Sequence, residues 1–299
     1  MTYWRTYVTP RTLDDALAAL RRSSGEARVV AGGTDLLLDL QQGRHAPVDT
    51  LVDVTRLPEL AEVRIEAQTL FLGAAVTHAS LAADDRLERH ARALREACAL
   101  IGGPQVRNVA TLGGNVAHAL PAADATIALL ALGAQAEMAT VDAGRQTVPL
   151  ASLFAGPGQT TFDRARTILV GFYLPLRRSH QGSAFRRVMR PQGVAIAILN
   201  LAVWVELDEQ ACIADARVAA GPSAPTPQRL QSAERAMIGQ PSSSVDYAAV
   251  SEAMRSESRL RSSAHRATAD YRRHLLGVLL ERTLPAALDD ARRPPEDGA

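Results

Sequence analysis

Apolar positions change their period along the chain, and each change marks a predicted element. Leu13, Ala16, Leu17 and Leu20 recur three or four residues apart, the spacing that turns one helix face toward a core. Thr12 precedes them as a cap for the free N–H groups, Asp15 approximates a capping box, and Ser23-Ser24-Gly25 ends the pattern. Residues Arg28 to Ala31 are short, β-branched and followed by Gly32-Gly33, which predicts a buried strand and a turn. Thr34-Asp35-Leu36 then starts a second helix, and Leu51 to Val54 reads as a further strand.

The pattern shifts near residue 60. Glu62 to Ile65 and Thr69 to Gly73 predict strands, Leu87 to Leu100 a helix, and Gly102-Gly103-Pro104 its end. A second glycine pair, Gly113-Gly114, precedes Asn115. Ala122 to Leu132 predicts an apolar helix, and Ala134 to Thr140 with Gln146 to Val148 a hairpin across Asp142-Ala143-Gly144. Thr167 to Phe172 is a strand closed by Pro175, and the polar stretch Arg177 to Gly182 reads as a linker. Beyond it lie strand-like runs at Ala184 to Met189, Val194 to Leu207 and Ala211 to Ala219. Helical patterns follow at Pro227 to Ile238, Tyr247 to Met254 and His265 to Thr283. The fold class is therefore α+β. An N-terminal domain spans 1–176, with subdomains at about 1–58 and 59–176. A C-terminal antiparallel sheet with helices spans 183–286, and 287–299 is expected to be a disordered tail.

Composition narrows the function. Of 299 residues, 47% are apolar and 22% charged, enough to bury a core. Basic and acidic side chains nearly cancel, 33 − 32 = +1, which argues against a protein built to grip nucleic-acid backbones. The chain has no lysine, so every basic side chain is arginine. Two cysteines, Cys98 and Cys212, exclude a disulfide scaffold and an iron–sulfur cluster held by four cysteines of this chain. The apolar run Val194 to Val205 is broken by Asn200 and falls short of the ~20 residues of a membrane helix. With no apolar leader over Met1 to Pro10, a cytoplasmic protein is expected.

Two glycine-rich segments carry the candidate chemistry. Ala31-Gly32-Gly33-Thr34-Asp35-Leu36 leaves a strand and enters a helix, so its N–H groups suit a phosphate. Ala110-Thr111-Leu112-Gly113-Gly114-Asn115 has the same ingredients, and Asp124 follows as a carboxylate suited to ribose hydroxyls. Neither segment is GxGxxG or a P-loop. Residue chemistry alone leaves two readings open, plain turns or a pair of pyrophosphate loops.

AGGTDLL (31–37), RNVATLGGNVAHALPAAD (107–124) and SAFRRVMRPQGVAIAILNLAV (183–203) resemble the flavoprotein medium subunit of molybdenum hydroxylases, the xanthine dehydrogenase and aerobic carbon monoxide dehydrogenase family. GPSAPTPQR (221–229) and residues 264–284 resemble its C-terminal domain, so the likeness covers nearly the whole chain. It implies an FAD fold of the PCMH type, with FAD held between two subdomains. Ala31, Gly32, Gly33, Thr34, Asp35 and Leu36 would face the pyrophosphate, and Thr111, Gly114 and Asn115 would complete that cradle. Asp124 would take the adenosine ribose, Ile101 and Gly102 would lie against the flavin, and Leu169 on the adenine side. Arg186 would lie close to the flavin at a position that can be lysine in the family, where a planar fork replaces a point charge.

The resemblance further implies an oxidoreductase subunit that relays electrons and needs no catalytic acid or base of its own. A small subunit would carry two [2Fe–2S] centres and a large one the molybdenum cofactor, in a dimer of heterotrimers. FAD would pass electrons to NAD, oxygen or another acceptor. The first loop lacks the histidine that tethers flavin in related oxidases, so FAD is expected to be non-covalent, and the cysteine loop of four-iron members is missing. The alternative is a self-sufficient flavin oxidoreductase of the same superfamily, which would need its own substrate pocket. Among other residues, Cys98, Cys212, Phe185 and Trp204 read as core, with Phe185 a minor candidate beside the flavin. His118 is a minor candidate for the cofactor. Arg86, Arg89, Arg92 and Arg95, three apart, read as one solvated helix face, with a partner-docking face as the alternative.

Overall fold

The computed structural model describes residues 2–190 and 196–294. The first module contains β1 (Trp4–Val8), α1 (Leu13–Arg22), β2 (Ala27–Val30), α2 (Leu36–Gln41) and β3 (Val48–Asp53). Its three strands are parallel in the order β1-β3-β2. Thr12 caps α1 by accepting the Asp15 N–H at 3.1 Å, and its hydroxyl donates to the Asp15 carboxylate at 2.7 Å. Strand β1 had no apolar signal in the sequence, because only Trp4 and Val8 of its five residues are even half-buried.

The second module opens with β4 (Val63–Glu66) and β5 (Thr69–Gly73). Short helices follow: α3 (His78–Ala83), α4 (Asp85–His90), α5 (Arg92–Leu100), α6 (Pro104–Arg107), α7 (Leu112–Ala117) and α8 (Asp124–Ala131). It ends with β6 (Gln135–Thr140), β7 (Gly144–Pro149), the small hairpin of β8 (Phe154–Gly156) and β9 (Gln159–Thr160), and β10 (Thr167–Pro175). The five main strands form an antiparallel sheet in the order β4-β5-β10-β6-β7. The single helix expected over 87–100 is two helices, since Ala91 leaves helical geometry at φ −146°. The four arginines are consequently not one solvated face. Arg86 pairs with Asp84 at 2.6 Å, Arg95 with Glu88 at 2.6 Å, and Arg92 with Glu96 at 3.3 Å and Asp290 at 3.5 Å.

The C-terminal module is a four-stranded antiparallel sheet of β11 (Gln181–Met189), β12 (Ala197–Leu207), β13 (Ile213–Gly221) and β14 (Gln228–Arg229). Three helices accompany it, α9 (Gln231–Met237), α10 (Tyr247–Glu257) and α11 (Ala269–Arg292). Strand β12 reads as a continuous apolar run because both faces are buried. Ala202 and Trp204 join the core of the N-terminal domain, whereas Leu201, Val203 and Val205 pack on the helices of their own module. Residues 194 and 195 of the expected strand lie outside the described residues. Helix α11 corrects the expected tail boundary. It runs to Arg292, and Ala287, Leu288, Asp290 and Ala291 are buried. Cys98 is core as expected, but Cys212 is only half-buried.

Candidate functional site

The segment after β2 is shaped by contact with the stretch before α7. A Cβ on Gly32 would stand 1.9 Å from the Val109 carbonyl oxygen, so only glycine lets the two backbones approach. Gly33 has φ +66°, the left-handed turn that swings the chain into α2. Among the described residues, the N–H groups of Gly32, Gly33, Thr34, Asp35 and Leu36 meet no acceptor, while Leu37 returns to the Gly33 carbonyl at 3.0 Å. Five consecutive donors thus stand open on one segment. Helix α2 has only six residues, so this row of donors outweighs any helix dipole.

The second glycine segment is built differently from the expectation. It follows the short helix α6 rather than a strand, and Thr111 is the N-cap of α7, accepting the Gly114 N–H at 3.2 Å. The N–H groups of Leu112, Gly113 and Asn115 go to the carbonyls of Val76, Ala74 and Thr111. With the Ala110 N–H on the Val106 carbonyl at 2.7 Å, five of its donors are already used. Asn115 turns its side-chain oxygen to the Thr126 N–H at 3.1 Å, tying α7 to α8. His118 bridges the two segments, its Nε2 lying 3.9 Å from an Asp35 carboxylate oxygen.

Asp124 begins α8 and is buried. It accepts from the Asn200 amide at 2.6 Å and pairs with Arg187, which also donates to the Leu100 carbonyl. Burial pushes its carboxyl above the usual range, against the opposing pull of Arg187 and Asn200. Strand alternation explains which arginine arrives here. Arg187 lies opposite Asn200 on the face that carries Phe185 to the N-terminal core. Arg186, expected beside the flavin, pairs instead with Glu96 at 2.8 Å and is not brought to the site. Sequence reasoning missed Arg187 and Asn200. Their signals were the doubled arginine of an alternating strand and the lone asparagine in an apolar run.

Nearby, the buried His78 ring lies 3.4 Å from the Cys98 sulfur. Burial lowers the His78 pKa to about 4 and raises that of the Cys98 thiol, so both are neutral near pH 7.

The two glycine segments, Asp124 and His78 line one cavity of about 1010 Å³, at the large end of ligand pockets. Ala31, Gly32, Gly33, Thr34, Asp35, Leu36, Ile101, Gly102, Thr111, Gly114, Asn115, Asp124 and Leu169 all line it. His78 and His118 do so as well, together with Arg28 and Arg164, which the sequence reading did not single out. All three modules contribute walls. Open N–H donors beside Ile101 and Leu169 fit an elongated ligand with phosphates and flat apolar ends.

Residues 3–177 match the family model for the FAD binding domain in molybdopterin dehydrogenase. The chain belongs to the FAD-binding medium-subunit family of molybdenum hydroxylases. Residues 183–287 match the CO dehydrogenase flavoprotein C-terminal domain. The chain is 32% identical to the xanthine dehydrogenase FAD-binding subunit of Escherichia coli O157:H7, over 95% of this chain and 96% of that one. It is 33% identical to the 6-hydroxypseudooxynicotine dehydrogenase complex subunit alpha of Paenarthrobacter nicotinovorans, over 96% and 95%. A carbon monoxide dehydrogenase structure from Hydrogenophaga pseudoflava superposes with a TM-score of 0.89 at 28% identity, covering 97% of this chain and 99% of that chain. The protein is thus an FAD-binding oxidoreductase subunit of the xanthine and CO dehydrogenase type, with an α+β fold. Among the described residues no helix is long and apolar enough to cross a membrane.

Proposed function

We propose that the cavity holds one FAD non-covalently. The observation that carries this reading is the row of five open N–H groups from Gly32 to Leu36 on a cavity wall. These donors receive the pyrophosphate, with Thr111, Gly114 and Asn115 holding the facing segment in place. Asp124, fixed by Arg187 and Asn200, accepts a ribose hydroxyl. Ile101 and Gly102 support the flavin, and Leu169 lies on the adenine side. Bound FAD supplies the redox chemistry, standing between the [2Fe–2S] centres of a small partner subunit and an acceptor such as NAD or oxygen. A large molybdenum-cofactor subunit would complete the unit, two units forming a dimer. The chain's own residues bind, orient and exclude water; none is required to move a proton.

No histidine occurs between Gly32 and Leu37 to tether the flavin. Acid precipitation of the purified chain therefore releases its yellow colour into the supernatant. Flavin that stays with the precipitated chain contradicts non-covalent binding.

A further inference from the structure

A buried hydrogen-bonded pair stands on the cavity wall and has no part in holding the phosphates. It is formed by His78, the first residue of α3, and Cys98 of α5. The His78 backbone N–H donates to the Ala110 carbonyl at 3.0 Å, and Thr77 pairs with Thr111 in an isolated bridge, so the ring is held beside the second glycine segment. The ring Nδ1 lies 3.4 Å from the Cys98 sulfur. His78 is 1% exposed, and what remains open of it faces the cavity that it lines. Nδ1 is turned to Cys98; Nε2 meets no protein partner among the described residues and is not sealed by protein. Burial lowers the His78 pKa to about 4 and pushes the Cys98 thiol up, so near pH 7 the imidazole is neutral and the thiol keeps its proton. A neutral imidazole has one donor and one acceptor nitrogen, and a thiol sulfur is only a weak acceptor. The pairing that suits both has the Cys98 S–H donating to Nδ1, which leaves the ring proton on Nε2, aimed into the cavity.

We propose that His78 donates its Nε2–H to an acceptor atom of the flavin ring, and that Cys98 is the positioning residue that fixes this tautomer. The proposal rests on the FAD reading above. Two observations favour the ring over the phosphates. Cys98 stands one turn before Ile101, whose N–H returns to the Cys98 carbonyl at 3.3 Å, so the pair belongs to the wall proposed for the flavin. The phosphates have the open N–H groups from Gly32 to Leu36, whereas a single neutral donor matches the neutral carbonyl and ring-nitrogen acceptors of a flavin. Reduction raises electron density on those acceptors, so a donor in contact holds the reduced form more strongly and raises the midpoint potential. No proton leaves His78 in this role.

The test is a spectroelectrochemical titration of the FAD-loaded full chain, with His78→Leu, His78→Gln, Cys98→Ala and Cys98→Ser variants alongside. FAD content is read from absorbance first. A chain without FAD overturns the FAD reading and this proposal with it, whereas bound FAD at an unchanged potential in His78→Leu overturns the proposal alone. Expected in His78→Leu is an about tenfold loss of preference for reduced flavin, a fall of about 30 mV for a two-electron couple. His78→Gln, whose amide N–H replaces the Nε2 donor, should restore most of it. Cys98→Ala should lower the potential in the same direction, and Cys98→Ser, which keeps a hydroxyl donor to Nδ1, should match the unmodified chain. The Cys98 pair decides the matter even where His78→Leu fails to fold. Nitrogen NMR of the unmodified chain should place the His78 ring proton on Nε2. A ring proton on Nδ1, or equal potentials in Cys98→Ala and the unmodified chain, overturns the proposal.

Discussion

Asp124 joins two modules through one carboxylate. Its partners Arg187 and Asn200 belong to β11 and β12, while its own backbone starts α8. Asp124→Ala should weaken FAD binding by about 1.5–3 kcal/mol, the range for hydrogen bonds to charged groups. It should also lower the stability of the apo-chain, because breaking a buried ion pair costs about 3–5 kcal/mol. FAD titration and chemical unfolding read the two effects separately. Unchanged FAD affinity removes Asp124 from the ligand contacts and leaves it a structural tie. His78 makes a different prediction. Its folded pKa of about 4 lies below the ordinary histidine value of 6.5. Between those values the unfolded chain binds a proton that the folded chain does not, so stability rises with pH. Its contribution is complete above pH 6.5 and falls by about 3 kcal/mol as pH drops to 4. His78→Gln should flatten that slope in unfolding measurements, and an equal slope in the variant contradicts it.

Helix α11 is the element whose extent the sequence misjudged. Its last turns lie against β11, where Asp290 accepts the Ser183 N–H at 2.9 Å and meets Arg92 of α5. A chain ending at residue 286 loses buried Leu288, worth about 1.5–3 kcal/mol, together with this tie. Its unfolding midpoint should therefore drop clearly, and an unchanged midpoint contradicts the packing of the final turns. Polar Asp289, Asp290, Arg292 and Arg293 masked this helix in the sequence, since a strip of alanine and leucine beside paired aspartates resembles a solvated tail. Elements with strong periodicity or turn chemistry were legible: α1 through Thr12, the β6–β7 hairpin, and the long strands β11 to β13. Those that depend on tertiary contact were not. Strand β1 forms by pairing with β3 rather than by its own apolar pattern, and the break at Ala91 has no glycine or proline to announce it.

At the scale of the whole molecule, the cavity exists only because three modules meet. Its wall of open N–H donors was readable from Ala31 to Leu36, since glycine pairs reveal themselves in sequence. The C-terminal side was not, because Arg187 and Asn200, which hold Asp124, and Arg272, which lines the cavity, lie far apart in the chain and are assembled by the sheet and by α11. On the proposed reading the site holds flavin, and among the described residues it presents no substrate-activating constellation, which is why partners enter the account. Native mass spectrometry with metal analysis, on the complex purified from its own cells, tests this most directly. The account predicts one acid-releasable FAD on this chain, with iron and molybdenum confined to two other subunits. A flavin-loaded chain that purifies alone, free of iron and molybdenum, and oxidises an organic substrate would contradict it.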